Sequence, residues 1–382
     1  MQKLRLLVVT LGHFCVDSYG TMLPPVLPLV IQRLQLDLVY AGLMLSMVSL
    51  ASLTQPLMGL WGDRMPRRYL VIAGVILSGG FIPLLGVVPS YGTLILVLFL
   101  GGLGVHAFHP QSFSLVGELS GNRRSFGLAL FIFGGTMALG LTPIWVPAFV
   151  TTFDLAYLPV VGVPGLLAVV LIYRFVPLDN PHLQHRKPSS VRQALGPHAG
   201  VLLLITLVVF LRCITSIIFG FFLTVLATER GMSLQAGGLA LAVYSTSGVV
   251  GGLVVGYLAD RMNPKPLVWG SILLAAPALY AFLQMEGPLA YVLLAVGGCM
   301  ILSSNSVLVA VAQELAPENA ALVSSLPAGL SWGLAGLTAP LFGHMADVIG
   351  LTQTLEYLAL LPVFTAFLAL FLPGRKHHHR DP

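Results

Sequence analysis

Charge is the scarcest commodity in this chain. Only 9% of its 382 residues are Asp, Glu, Lys or Arg, while 57% are hydrophobic and the mean hydropathy is +0.92. Soluble domains carry about 25% charged residues. A surface this poor in charge excludes a water-soluble globular protein, whereas hydrocarbon, as apolar as leucine, covers it without penalty. Cysteine is scarce as well. Cys15, Cys213 and Cys299 each sit inside an apolar stretch, spaced for neither a disulfide framework nor a metal knuckle, and read as small core residues. The formal net charge of +5 comes from basic residues in short loops rather than along one face, so no nucleic-acid partner is expected. Long polar stretches are nearly absent. The single long one, 178–198, holds Pro181, His182, His185, Arg186, Lys187, Pro188 and Arg192.

What the chain has in abundance is apolar runs. A spanning helix needs about 20 mostly apolar residues. That length predicts twelve segments, near 5–31, 39–61, 69–88, 92–118, 125–149 and 155–177, then 199–227, 234–259, 266–285, 288–313, 321–346 and 351–373. The first is too long for a signal-peptide core and carries His13 and Asp17, so it reads as a retained helix. The expected organisation is an N-terminal six-helix bundle (1–177), a cytoplasmic linker (178–198), a C-terminal six-helix bundle (199–373) and a cytoplasmic tail (374–382). With the N-terminus in the cytoplasm, sixteen of the nineteen Lys and Arg fall on the cytoplasmic side. Only Arg33 and Arg230 fall outside, and Arg212 lies within a helix. That asymmetry predicts a multi-pass protein of the cell (inner) membrane with both termini cytoplasmic.

The chain also repeats itself. Gly59-Leu60-Trp61-Gly62-Asp63-Arg64-Met65-Pro66-Arg67-Arg68 recurs as Gly256-Tyr257-Leu258-Ala259-Asp260-Arg261-Met262-Asn263-Pro264-Lys265, with Asp63 and Asp260 separated by 197 positions. Gly140-Leu141-Thr142-Pro143 is echoed by Gly336-Leu337-Thr338-Ala339-Pro340, and Glu118-Leu119 by Glu314-Leu315. Both copies begin on the same side, which makes this a parallel repeat of the kind that builds transporters. An intramembrane enzyme would need a nucleophile dyad or a multi-histidine box. Nothing approaches one except His106-x-x-His109, so no enzyme is expected.

Ionisable side chains at membrane depth are costly and mark function. His13 and Asp17 are four apart on one helical face, and His106 and His109 are three apart, with Gln111 beside them. Arg212 lies mid-segment in the seventh span, and Ser303, Ser304 and Asn305 in the tenth. A buried carboxylate at Asp17 can load and release a proton near neutral pH, and His13 titrates in that range. The competing reading is a static Asp17–Arg212 ion pair. Arg212 is suited to bidentate recognition of an anion, or equally to serving as Asp17's counter-ion. A metal site of His13, Asp17, His106 and His109 is conceivable, but the histidines read as hydrogen-bonding groups and no metal is expected. Gly127, Gly134, Gly135, Gly140 and Pro143 read as a packing and bending surface, and Trp332 as packing in the eleventh segment.

The decapeptide at 59–68 resembles the cytoplasmic loop of the major facilitator superfamily, with Gly62 where alanine is common and Pro66 where glycine is usual. That resemblance implies two pseudo-symmetric six-helix bundles, an all-α integral membrane fold of twelve transmembrane helices. It also implies a gate built from Asp63, Arg64, Arg67 and Arg68, with Glu118, Arg124, Asp260 and Arg261 around it. In that arrangement the first, fourth, seventh and tenth helices line the central cavity, and these are the helices that carry the polar residues. A narrower resemblance, to the fosmidomycin-resistance branch of drug efflux proteins, rests on residues in both halves. In the first half these are Gly12-His13-Phe14 with Asp17, Leu23-Pro24-Pro25-Val26-Leu27-Pro28, Phe108-His109-Pro110, Gly134-Gly135 and Gly140 to Pro143. Phe210-Leu211-Arg212, Gln313-Glu314-Leu315 and Gly329-Leu330-Ser331-Trp332-Gly333 continue it. Where the branch has an acidic residue after His-Pro, this chain has Gln111.

The expectation is therefore a secondary transporter, monomeric and lipid-embedded. It would need no cofactor and would use the proton gradient to export a small anionic or amphiphilic compound or drug. Asp17 and His13 would couple protons, and Arg212, His106, His109, Gln111 and Asn305 would bind substrate. The alternative is uptake symport of a small metabolite or metal ion on the same fold.

Overall fold

A computed structural model describes residues 1–55, 58, 67–176, 198–315, 323 and 326–374, with Arg67 and Arg68 described by backbone alone. Every regular element among them is helical. The first half comprises α1 (Lys3–Gly20), α2 (Leu23–Leu34), α3 (Leu38–Ser52), α4 (Arg67–Phe81), α5 (Tyr91–Leu119), α6 (Arg124–Phe153) and α7 (Val163–Phe175). The second comprises α8 (Ala199–Glu229), α9 (Leu234–Ala259), α10 (Pro264–Gln284), α11 (Pro288–Leu315), α12 (Ser331–Leu337), α13 (Ala339–Ile349) and α14 (Leu351–Ala369). Ten stretches among the described residues are long and apolar enough to cross a membrane, counting α1 and α2 as one span, Lys3–Leu34.

The internal repeat is visible in the helix starts. Lys3 and Ala199 are 196 positions apart, as are Leu38 and Leu234; Arg67 and Pro264 are 197 apart, as are Tyr91 and Pro288. Four helices thus begin at matching places in the two halves, which is what a duplicated bundle requires.

Several segments that read as continuous are broken, each at proline. Pro24 and Pro25 lack the N–H groups that a continuous helix would use, so the first span ends one helix at Gly20 and starts another at Leu23. The third span tightens into a 3-10 turn at Ile82–Gly86, which contains Pro83. The sixth begins as a 3-10 stretch, Leu155–Gly162, around Pro159. The eleventh is split into a π-helical turn at Leu326–Leu330, then α12, then α13 with Pro340 in its first turn.

Without a hydrophobic driving force in lipid, helices hold together through close approach of small residues and interhelical hydrogen bonds. On α7, Gly165, Ala168 and Ile172 are buried, while Leu166, Leu167, Val170 and Tyr173 are exposed to the surround. The Gly165 amide donates to the Tyr19 hydroxyl at 2.8 Å, and that hydroxyl donates to the Val161 carbonyl at 3.0 Å, pinning α7 to α1.

The helices cluster into two compact units. One joins the first half of the chain with Gly220–Ala242 and Gly336–Val348; the other holds the remainder of the second half. In the first unit, polar bonds tie α8, α9, α12 and α13 to helices of the first half. Thr224 donates to the Pro24 carbonyl at 2.5 Å, Gln235 to the Thr151 hydroxyl at 2.8 Å and Ser46 to the Gly336 carbonyl at 3.1 Å. The Asp347 carboxylate accepts from the amides of Leu38 at 2.7 Å and Val39 at 2.9 Å. Those are the first two amides of α3, and its own N-cap residue, Asp37, makes no side-chain cap. The cap on α3 therefore comes from 309 positions further along the chain.

Candidate functional site

Near the middle of the first span, His13 and Asp17 stand one turn apart on α1, and α5 brings His109 to them. His13 Nε2 lies 3.2 Å from Asp17 Oδ2, His109 Nε2 lies 3.1 Å from Asp17 Oδ1, and the two Nε2 atoms are 3.3 Å apart. The far nitrogen of each ring is tied to backbone: His13 Nδ1 to the Phe131 carbonyl at 2.7 Å, and His109 Nδ1 to the Val105 carbonyl at 2.8 Å. A carbonyl only accepts, so both Nδ1 atoms carry hydrogen and both Nε2 atoms of the neutral rings are bare lone pairs. Two lone pairs and a carboxylate thus face one another across little more than 3 Å. The arrangement is electrostatically complete only when a cation, such as a proton on one Nε2, sits among them.

The walls explain why the three groups meet. The Phe131 ring stacks on His13 at 4.0 Å, with Phe108 and Phe113 also against it. His13 is almost wholly enclosed, whereas the Asp17 and His109 side chains keep 17% and 19% exposure, enough for a proton or ion to reach them. On α6, Gly135 has no room for a side chain. A Cβ there would lie 2.4 Å from Asp17 Oδ2 and 2.5 Å from His13 Cε1. Gly134 meets Thr10 in the same way, at 2.7 Å from its Cγ2. Gly135, which reads in sequence as packing surface, is thus the floor of the triad, while Gly134 packs on Thr10 one turn away.

A second polar cluster lies in the other unit. Arg212, at mid-length of α8, is fully buried. It donates to the Ile301 carbonyl at 2.9 Å, to Asn305 Oδ1 at 3.0 Å and to Cys213 Sγ at 3.2 Å. Its guanidinium lies 6.0 Å from the centre of the Trp332 ring, and its Nε has no hydrogen-bond partner among the described residues. The guanidinium is thus held by neutral acceptors and an aromatic face, with no carboxylate among these partners and one donor to spare. Within its own unit Asp17 has two histidines as partners, and within its own unit Arg212 has amide, carbonyl and thiol groups.

The other expected site residues fall into place unevenly. His106 turns from the triad and hydrogen-bonds the backbone of Val48 on α3, while Gln111 is buried on α5. Asp63 and Arg64 lie outside the described residues, as does most of the linker 178–198 and the tail beyond Gly374; Arg67 and Arg68 open α4. Arg124 lies over Gly117, and Glu118 is exposed at the end of the same helix as Gly117. In the second copy, Asp260 and Glu314 line a cleft of about 220 Å³, and Arg261 folds back over the Tyr257 ring at 3.6 Å. Phe131, Gly135 and Trp332 are the contributors that sequence reasoning missed. The first acts through its carbonyl and ring, the second through a missing Cβ, and the signal for Trp332 was only its place among glycines.

The family model described as Major Facilitator Superfamily matches residues 9–340 and 205–382. The chain is 26% identical to the fosmidomycin resistance protein of Escherichia coli (strain K12), over 97% of this chain and 92% of that protein. It is 29% identical to an uncharacterised MFS-type transporter, YfnC, of Bacillus subtilis (strain 168), with the same coverage. It is 25% identical to the benzoate transport protein of Acinetobacter baylyi, over 97% and 87% of the two chains. Among solved structures, a bacterial homologue of the human lysosomal transporter Spinster, inward-facing and occupied, superposes with a TM-score of 0.82 at 15% identity, covering 96% of each chain. An all-helical membrane fold whose helix starts repeat at intervals of 196 and 197 positions, and a family match over nearly all of its length, lead to one assignment: the chain belongs to the Major Facilitator Superfamily.

Proposed function

We propose that the protein is a proton-coupled exporter that moves a small organic anion out of the cytoplasm by alternating access. The observation that carries this reading is the triad: one carboxylate shared by two imidazoles whose tautomers are fixed by backbone carbonyls. A proton arriving on either Nε2 becomes an N–H donor to Asp17, and its departure restores the repulsion among the three groups. Proton arrival and departure therefore change the local electrostatics of α1, α5 and α6 at once. Arg212, with Asn305 and Trp332 beside it, supplies the anion-recognising element. The name of the Escherichia coli relative, a resistance protein, supports movement outward. The Lys and Arg distribution supports both termini, and the Asp63 and Asp260 loops, on the cytoplasmic side.

A specific observation favours a second reading. The Acinetobacter relative is a benzoate transport protein, and benzoate is a carboxylate that the Arg212 cluster would suit in an uptake symporter as well. Purified protein in liposomes with an imposed pH gradient separates the two. Substrate leaving the compartment that protons enter supports export; substrate and protons travelling together refute it. Asp17→Asn should abolish pH-driven movement while leaving substrate exchange, and unchanged coupling in that variant would remove the triad from the mechanism.

A further inference from the structure

We propose that His13, Asp17 and His109 form a binding site for a divalent transition-metal ion of the zinc and cobalt class, an occupant distinct from the proton. The inference uses the same three side chains as the coupling reading and does not depend on coupling.

Three features of the geometry point to it. The first is ring orientation. Histidines that ligate metals almost always donate their second ring N–H to a carbonyl or carboxylate, which fixes the tautomer and aims the bare nitrogen at the ion. Both rings here do this, through Phe131 and Val105. The second is spacing. A tetrahedral zinc ion with bonds of about 2.0–2.1 Å sets its ligand atoms roughly 3.3 Å apart. The Nε2 atoms are 3.3 Å from each other and 3.2 and 3.1 Å from the Asp17 oxygens, and the ligand atoms all lie within 4.8 Å of one another. The third is donor chemistry. Two imidazoles and one carboxylate suit zinc, cobalt or nickel, whereas calcium and magnesium call for six or more oxygens. Three protein residues leave a coordination position for water, as open zinc sites do. His106 does not belong to the set, because its hydrogen bond goes to Val48.

In sequence the histidines read as hydrogen-bonding groups, because a histidine pair on a polar face beside a kink serves that purpose more often than metal binding. The structure supplies what spacing could not: two carbonyl anchors and the Gly135 floor that lets the groups converge.

The test uses full-length protein in detergent, with the tail residues His377, His378 and His379 replaced by alanine so that they do not compete for metal. Titration with Co²⁺ should give one equivalent bound with the intense visible bands of four-coordinate cobalt, displaced by one equivalent of Zn²⁺. His109→Gln should weaken binding by more than about 100-fold, beyond the 10–100-fold typical of losing an outer-sphere partner. Weak six-coordinate bands, or binding that survives His109→Gln, would overturn the proposal. Should that variant fail to fold, zinc-edge X-ray absorption on the parent decides: a shell with two imidazoles supports the site, and an all-oxygen or single-imidazole shell refutes it. Proton-driven transport measured in metal-free liposomes is an independent readout, so the two readings fail separately.

Discussion

Replacing Gly135 with alanine adds one methyl group and should uncouple the transporter. The added Cβ would lie 2.4 Å from Asp17 Oδ2 and 2.5 Å from His13 Cε1 and Nε2, where ordinary contact begins at 3.4 Å. The carboxylate and the imidazole must therefore retreat by about 1 Å, since neither helix interior yields easily at normal packing density. Because both groups retreat from the same methyl, the contact at stake is the 3.1 Å one between Asp17 and His109, which a shift of about 1 Å is enough to carry to about 4 Å, beyond hydrogen-bond reach. A hydrogen bond to a charged partner contributes about 1.5–3 kcal/mol. Losing one should lower occupancy of the proton-loaded triad by roughly 10- to 150-fold. Overpacking also costs about 1–3 kcal/mol of stability, so a fall in thermal midpoint alone proves nothing. The control is Gly134→Ala, whose Cβ meets Thr10 Cγ2 at 2.7 Å and the Thr10 carbonyl oxygen at 2.8 Å, with no triad atom among its nearest neighbours. Both variants should lose similar stability, measured by thermal unfolding in detergent. Only Gly135→Ala should lose pH-driven transport in liposomes while retaining substrate exchange. Normal coupling in Gly135→Ala, or equal loss in both, would refute the reasoning.

Other outcomes follow from the same geometry. Arg212→Lys keeps the charge but gives up the fork that reaches Ile301 and Asn305 together, so substrate affinity should fall about 10-fold or more by equilibrium binding. Trp332→Leu removes the ring beside the guanidinium and should weaken binding by a smaller factor, with proton coupling intact. Asp347→Ala removes the cap on α3; a lost N-cap costs about 0.5–2 kcal/mol, which predicts a 2- to 30-fold gain in the population open at that end. Labelling of a cysteine placed there would measure it, and an unchanged labelling rate would show the cap to be incidental.

Much of this was legible before any coordinates. Length and hydropathy give the spans, because lipid thickness is a hard ruler. The i,i+4 placement of His13 and Asp17 on one face follows from helix pitch. The arrival of His109 does not, since it requires α5 to pack on α1 in one register. The Phe131 carbonyl is invisible to sequence, because every residue has a carbonyl and only the fold selects one. Gly135 was read as packing for the same reason: a missing Cβ has meaning only once its neighbour is known. The breaks at Pro24, Pro83 and Pro159 were readable in principle, and were hidden by hydropathy that runs through them without a dip. The neutral shell of Arg212 is equally hidden in sequence, because Ile301 contributes only a carbonyl and Asn305 stands 93 positions away.

The borrowed cap on α3 has one more implication. A helix whose first two amides are satisfied by a distant carboxylate frays when that carboxylate leaves. Leu38 and Val39 should then exchange their amide hydrogens with solvent at a rate set by how often this end of the protein opens. Asp37 already occupies the N-cap position with extended backbone, its side chain unengaged. When Asp347 departs, Asp37 stands where a local cap is made, so the amides pass from one carboxylate to another instead of being stranded. Handing over a partner in this way would keep the two arrangements close in free energy, so opening this end would cost little more than moving one carboxylate.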